Sequence, residues 1–138
     1  TAPDPSACTH RMDGLLPFPA HDWATAAQVF FLLAIGHALM DYPLQGEFLA
    51  SCKNRHFLVQ RADPSRPPSI WIVCMACHCL LHAGAVWLIT GCVVLACIEF
   101  VLHFLIDVAK CEGLTSFNQD QLLHFGCKAA YVAAAALW

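Results

Sequence analysis

Residues 92–138 read CVVLACIEFVLHFLIDVAKCEGLTSFNQDQLLHFGCKAAYVAAAALW, and the spacing of the ionisable residues in this stretch decides the fold. Two apolar segments, 92–110 and 118–138, are joined by a short connection. In each segment ionisable residues recur at every fourth position, which places them on one face of a helix. They are Glu99, His103 and Asp107 in the first segment, and Asp120, His124 and Lys128 in the second.

An antiparallel pairing of the two segments arranges these residues in three layers. Asp107 then faces Asp120, His103 faces His124, and Glu99 faces Lys128. A charge at mid-bilayer costs about 2.5–3.5 kcal/mol on insertion scales, so each of these groups needs a partner. We expect Glu99 and Lys128 to form a buried ion pair beneath the other layers; a catalytic or proton-relay role for this pair is the alternative.

The composition indicates a single-domain membrane protein, because 59% of the 138 residues are hydrophobic and 12% are charged. The seven Lys and Arg residues are spread along the chain and form no basic stripe, which argues against nucleic acid as a partner. Six of the nine cysteines lie in apolar runs, where cysteine acts as a small hydrophobe, so few or no disulfides are expected.

Hydropathy predicts an all-α membrane protein, a four-transmembrane-helix bundle with an amphipathic interfacial helix between spans one and two. Asp22 is the expected N-cap of the first span, Thr90-Gly91 the turn between spans two and three, and Asn118 the N-cap of the fourth. Residues 1–22 are expected to form an exposed, proline-rich arm before a transmembrane domain of residues 23–138. The predicted spans are 24–41, 70–89, 92–110 and 119–138, and the interfacial segment is 44–66.

Charge asymmetry predicts the orientation of this bundle. The segment 44–66 and Lys110 hold five of the seven Lys and Arg residues, and basic residues favour the cytoplasmic side. We therefore expect an inner (plasma) membrane protein with both termini outside and its polar site toward the cytoplasm.

Two more pairs at four-residue spacing suggest that all four spans converge on one metal site. Oxygen and imidazole ligands suit one or two divalent ions, with zinc favoured and manganese or iron as alternatives. Hydrogen bonding among these side chains without a metal is the structural alternative. The eight candidate ligands are His37, Asp41, His78, His82, His103, Asp107, Asp120 and His124.

A haem site is disfavoured, although Cys74-Met75-Ala76-Cys77-His78 matches a Cys-x-x-Cys-His attachment string. The string lies inside a predicted span, whereas covalent attachment needs an accessible segment.

Polar residues near the cytoplasmic end are candidates for substrate or surface contacts. Lys53, Arg55 and Arg61 are expected on the membrane surface against anionic lipid, with substrate phosphate as the alternative. Gln45, Lys110 and Gln121 are placed to orient a substrate or a metal-bound water, or to serve as interfacial residues.

The chain resembles an uncharacterised family of small bacterial and phage multi-pass membrane proteins known as a domain of unknown function. The resemblance covers about residues 33–125 and implies no activity, but it supports treating the four pairs as one motif. The matching strings are His37-Ala-Leu-Met-Asp41-Tyr42-Pro-Leu44-Gln45, the pair His78/His82, His103-Phe-Leu-Ile-Asp107-Val-Ala-Lys110 and Asp120-Gln121-Leu-Leu-His124.

The function expected from these features is that of a metal-dependent hydrolase acting on a lipid or lipid-linked phosphate at the cytoplasmic leaflet. Asp107 and Asp120 are the candidate catalytic carboxylates, as a general base or as bridges between two ions. The alternatives are a divalent-metal transporter and a structural or accessory subunit with a closed metal site. Membrane lipid is the expected partner, with a homodimer or a larger membrane complex as further possibilities.

Overall fold

The computed structural model describes residues 14–16, 18–57 and 65–136, and within them the chain is helical without a β-strand. The all-helical class expected from the sequence is confirmed. The helices are α1 (Trp23–Asp41), α2 (Gly46–Cys52), α3 (Ile70–Thr90), α4 (Val93–Cys111) and α5 (Phe117–Ala136).

The four long helices form a closed ring. Helix α3 packs against α1 and α4, and α5 packs against the same two helices from the other side. The short helix α2 lies against α3. The predicted turn between α3 and α4 is confirmed at Gly91, whose φ of 67° favours glycine because a side chain there would be strained.

Local side-chain hydrogen bonds set where α1 and α5 begin. The expected N-cap Asp22 is confirmed, because its Oδ1 accepts from the Thr25 amide at 2.9 Å and its Oδ2 from the Thr25 hydroxyl at 2.6 Å. These bonds lower the pKa of Asp22. The expected cap Asn118 is wrong. Helix α5 begins earlier, because the Ser116 Oγ accepts from the Gln119 amide at 3.3 Å while Gln119 Oε1 accepts from the Ser116 amide at 2.9 Å.

The polarity of the bundle is inverted relative to a water-soluble protein. Its interior contains buried histidines, carboxylates and a lysine, while large apolar side chains point outward, such as Phe31 on α1, Leu80 on α3 and Leu105 on α4. A surface of this kind requires an apolar environment. Among the described residues, two helices, α1 and α3, are long and apolar enough to cross a membrane.

An apolar core occupies the end of the bundle that contains the α3–α4 turn. It is formed by Phe18, Val29, Leu33, Val86, Ile89, Cys92, Tyr131, Val132 and Ala135.

The chain before α1 is tied to this end. The Leu15 amide donates to the Leu88 carbonyl at 3.1 Å, and Phe18 and Ala20 are buried. The expectation of an exposed arm is therefore wrong for this part, because its apolar side chains find a place in the core. Residues 1–13 and 17 lie outside the described residues. Cys92 is disulfide-bonded to a partner that also lies outside them, whereas seven other cysteines are free thiols.

The predicted single helix over 44–66 is wrong where the structure describes it. Helix α2 ends at Cys52, and the chain becomes helical again at 55–57. The break occurs because Asn54 Oδ1 accepts from the backbone amide of His56 at 2.9 Å and so starts a new turn. Residues 58–64 of the predicted helix, which include Arg61, lie outside the described residues.

Candidate metal centre

Five histidines from all four long helices meet in the half of the bundle opposite the apolar core. Each is at most 2% exposed. The His103 ring stacks between His82, with centroids 3.7 Å apart, and His124, at 4.0 Å. The structure therefore brings together side chains that the sequence places up to 87 positions apart. The five are His37 on α1, His78 and His82 on α3, His103 on α4 and His124 on α5.

The first group of potential ligands joins Asp41 to three of these histidines, His78, His82 and His103. Asp41 Oδ1 lies 3.1 Å from His82 Nε2 and 3.3 Å from His78 Nε2. His78 Nε2 in turn lies 3.2 Å from His103 Nε2. Ligand atoms about 2.05 Å from a tetrahedral zinc are about 3.3 Å from one another. The spacing of these four atoms is that of a zinc ligand set.

Hydrogen bonds alone leave this group unsatisfied. His78 Nε2 has three neighbours within 3.4 Å, an oxygen of Asp41, an oxygen of Asp107 and His103 Nε2. A ring nitrogen carries at most one hydrogen and so can donate to one of them only. A cation among these atoms would use the remaining lone pairs at once.

Glu99 fixes the orientation of His103. Its Oε1 lies 3.1 Å from His103 Nδ1, so Nδ1 carries the hydrogen and Nε2 presents its lone pair to the group. A carboxylate behind a ligating histidine is the usual arrangement in metal sites. The other contacts of Glu99 come from α5, with Lys128 Nζ at 2.5 Å and the Tyr131 hydroxyl at 2.7 Å. The Glu99 and Lys128 pair lies where the helix register places it.

The second group comprises Asp107, Asp120 and His124. His124 Nε2 lies 3.3 Å from Asp107 Oδ1 and 3.6 Å from Asp120 Oδ1. The other oxygen of each carboxylate accepts from a lysine, Lys53 to Asp107 at 2.7 Å and Lys110 to Asp120 at 2.8 Å.

Gln121 connects the two groups. Its Nε2 donates to Asp41 Oδ2 and to Asp120 Oδ2, each at 3.1 Å. Its Oε1 lies 3.4 Å from Nε2 of His37, which is also 3.3 Å from Asp41 Oδ2. His37 belongs with His103 and His124 to a third group of possible ligands. All eight predicted ligands thus lie in one continuous cluster.

A cavity of about 410 Å³ leads to the cluster from the end opposite the apolar core. Asp41 and Asp107 lie on its inner side, and the exposed residue Tyr42 lies on its rim. The cavity is therefore a route by which a small polar group can reach both carboxylates. Its lining comprises Asp41, Tyr42, Gln45, Ala50, Lys53, Asn54, Asp107, Lys110, Cys111, Phe117 and Gln121.

Arg55 is placed away from this cavity. Its Nε donates to Glu112 at 2.8 Å, and its guanidinium lies 5.8 Å from the centre of the Trp71 ring. Hydrogen bonds from Arg55 and from His56 lower the pKa of Glu112. The two basic residues of this segment thus differ: Lys53 lines the cavity and Arg55 forms a surface ion pair.

Sequence reasoning missed two contacts of the cluster. Tyr131 continues the polar face of α5 three residues after Lys128, so helical spacing could have identified it. The ion pair between Lys53 and Asp107 joins residues 54 positions apart, and no local pattern indicates it.

The fold and this cluster define an all-helical protein with two candidate membrane spans and a buried group of histidines and carboxylates. The chain belongs to the family described as protein of unknown function (DUF3307), whose family model matches residues 29–137. Membership of an uncharacterised family, expected from the sequence, is confirmed. The matched region contains every residue of the cluster. No curated protein and no solved structure matches the chain.

Proposed function

We propose that the chain is a membrane-embedded metal-binding protein that hydrolyses a lipid or lipid-linked phosphate at the cytoplasmic leaflet. The observation that carries this proposal is the convergence of one carboxylate and three imidazole nitrogens at ligand spacing, beside a polar cavity. Zinc fits the first group, because imidazole nitrogen and carboxylate oxygen are its usual ligands besides thiolate.

Charge balance supports a bound cation. Asp41, Glu99, Asp107 and Asp120 contribute four negative charges, while Lys53, Lys110 and Lys128 contribute three positive ones. With neutral histidines the cluster keeps one uncompensated negative charge in a place where burial penalises it. A divalent ion removes this excess and makes the site attractive to an anionic substrate.

Four spans rather than two follow from where the charges of α4 and α5 point. Glu99 and Asp107 on α4, and Asp120 and Lys128 on α5, all face the bundle interior and are paired there. Their cost in the membrane is thereby reduced, and the outward faces of both helices remain apolar. All four long helices are then in contact with lipid.

The two ends of the bundle differ in a way that supports the expected orientation. The cavity end contains Lys53, Arg55 and Lys110, which favour the cytoplasmic side. The opposite end contains the disulfide-bonded Cys92, and disulfides persist in oxidising compartments. The termini and the α3–α4 turn then face outward.

The chemistry follows from the donors around the cavity. A divalent ion lowers the pKa of a bound water toward neutrality and polarises a phosphoryl oxygen. Asp107 or Asp120 accepts the proton of the attacking water, and Lys53 and Lys110 bind the phosphate oxygens. Water adds to phosphorus, and the lipid alcohol leaves with a proton.

Transport and a closed structural site are less well supported. Beyond the Glu99 layer the described interior consists of the apolar core, with Thr90 as its buried polar side chain, so no charged route continues to the outer face. A closed site does not require the cavity that reaches Asp41 and Asp107.

The proposal is tested by phosphate release from phosphatidic acid in nanodiscs containing protein loaded with zinc or manganese. Asp41→Asn should lower the rate at least about a hundredfold, as expected when a metal ligand is lost. Asp22→Asn is the matched control, since it makes the same change at the other end of α1 and asparagine is an equally good N-cap. Wild type that releases no more phosphate than Asp41→Asn in either metal form would contradict the proposal.

A further inference from the structure

We infer that Lys53 and Lys110 occupy the place of a second metal ion, and that a cation binding to Asp107, Asp120 and His124 releases both lysines to bind a phosphate dianion in the cavity. The inference deepens the proposed function and rests on it. It assigns the second group a regulated anion site and gives the lysines two alternative partners.

The second group has the composition of a cation site. Two carboxylates and one imidazole suit a hard ion such as manganese better than the three imidazoles of the first group do. Asp120 is fully buried, and its Oδ1 has no hydrogen-bond partner among the described residues. This oxygen faces His124 Nε2 at 3.6 Å, beyond hydrogen-bond distance. An unsatisfied buried carboxylate oxygen is costly and points to a missing ligand.

The lysines neutralise this group without filling it. Each ammonium contacts one outer oxygen, Asp107 Oδ2 for Lys53 and Asp120 Oδ2 for Lys110. The oxygens that face His124 remain available. Both lysines also line the cavity, with side chains 12% and 33% exposed, so their flexible stems reach open space.

The charges close on both sides of the exchange. Without a cation, two carboxylates and two ammonium groups sum to zero. A divalent ion in the group neutralises the carboxylates by itself and leaves two positive charges at the cavity wall. A phosphate monoester near neutral pH carries a charge close to −2 and matches them. Cation and phosphate should therefore strengthen each other's binding.

The experiment uses the whole protein in phosphatidylcholine nanodiscs loaded with one equivalent of zinc. Manganese is titrated in, and free manganese is followed by electron paramagnetic resonance. Millimolar inorganic phosphate should tighten manganese binding roughly tenfold, within the usual range of coupling between sites. A parallel titration in nanodiscs that contain phosphatidic acid tells a lipid headgroup from free phosphate, because only the source that fits should tighten binding.

The lysine variant separates exchange from a merely structural role. In Lys53→Gln/Lys110→Gln, manganese should bind more tightly than in wild type without phosphate, since no ammonium competes, and the phosphate effect should vanish. Arg55→Gln is the matched control and should behave as wild type, because Arg55 pairs with Glu112 outside the cavity. Weaker manganese binding in the double variant would overturn the inference, since a structural role predicts that result.

The outcomes separate this inference from the proposed function. Zinc bound at one equivalent, with manganese unaffected by either phosphate source, overturns the exchange and leaves the zinc site standing. Failure to bind zinc or manganese at all overturns both.

Discussion

Replacing Lys128 with methionine should expose the energetic cost of the buried carboxylate beneath the metal centre. Lys128 and Glu99 are each 1% exposed, and the ammonium lies 2.5 Å from Glu99 Oε1. Methionine keeps most of the apolar stem, so Lys128→Met removes the charge and leaves little cavity. Removal of one partner from a buried ion pair costs about 3–5 kcal/mol, because the other charge stays buried.

Proton uptake limits this cost. Glu99 keeps contacts to Tyr131 at 2.7 Å and to His103 at 3.1 Å, but it loses its only described ion-pair partner other than a histidine. Protonating a free glutamate carboxyl at pH 7 costs about 4 kcal/mol, and this cost falls by about 1.4 kcal/mol for each pH unit of acidification. We therefore expect a destabilisation of about 3–4 kcal/mol at pH 7 that shrinks as the pH is lowered toward 5.

The assay is reversible unfolding in mixed detergent and dodecyl sulfate micelles, followed by far-ultraviolet circular dichroism. Glu99→Gln/Lys128→Met removes both charges and should cost less than Lys128→Met alone, because no lone charge remains. A loss below about 1 kcal/mol for Lys128→Met, or a loss that does not change with pH, would refute the reasoning.

Three further predictions follow from other parts of the structure. Glu99→Gln should weaken zinc binding about 10- to 100-fold in a competition titration, because it loosens the orientation of His103; unchanged affinity would exclude Glu99 as the group that orients this histidine. In a background without other reactive thiols, Leu114→Cys should react with a membrane-impermeant reagent only from the cytoplasmic side and Leu15→Cys only from outside, and labelling from the reverse sides would invert the topology. Gly36→Leu should destabilise the bundle by about 1–3 kcal/mol, since a Cβ at position 36 already lies 3.4 Å from neighbouring α3 side chains, whereas Gly126→Leu, with open space around it, should cost little; equal effects would contradict close packing of α1 on α3.

The sequence predicted the main helices because their signals are local and strong. Asp22 was identified as a cap from its position before an apolar run, and Gly91 as a turn from its place within a long apolar stretch. Asn118 was chosen over Ser116 because both residues are common caps, and only the reciprocal bonds with Gln119 decide between them.

The cluster was predictable in its members but not in all its contacts. Four-residue spacing places His103 and Asp107 on one face, and the antiparallel register brings His124 to them. The course of residues 44–66 was missed because Asn54 ends one helix and starts another, and that break directs Lys53 into the bundle. Such a contact depends on tertiary packing, which no periodicity encodes.

The central claim is that the histidine and carboxylate cluster binds a divalent metal. The most direct test is the metal content of detergent-purified protein, prepared without chelator and measured by mass spectrometry, for wild type and His103→Ala/His124→Ala. We expect one or two equivalents of zinc, manganese or iron in wild type and a loss of at least one equivalent in the double variant. A wild-type protein without metal, folded and stable, would show that the cluster is held by hydrogen bonds and ion pairs alone.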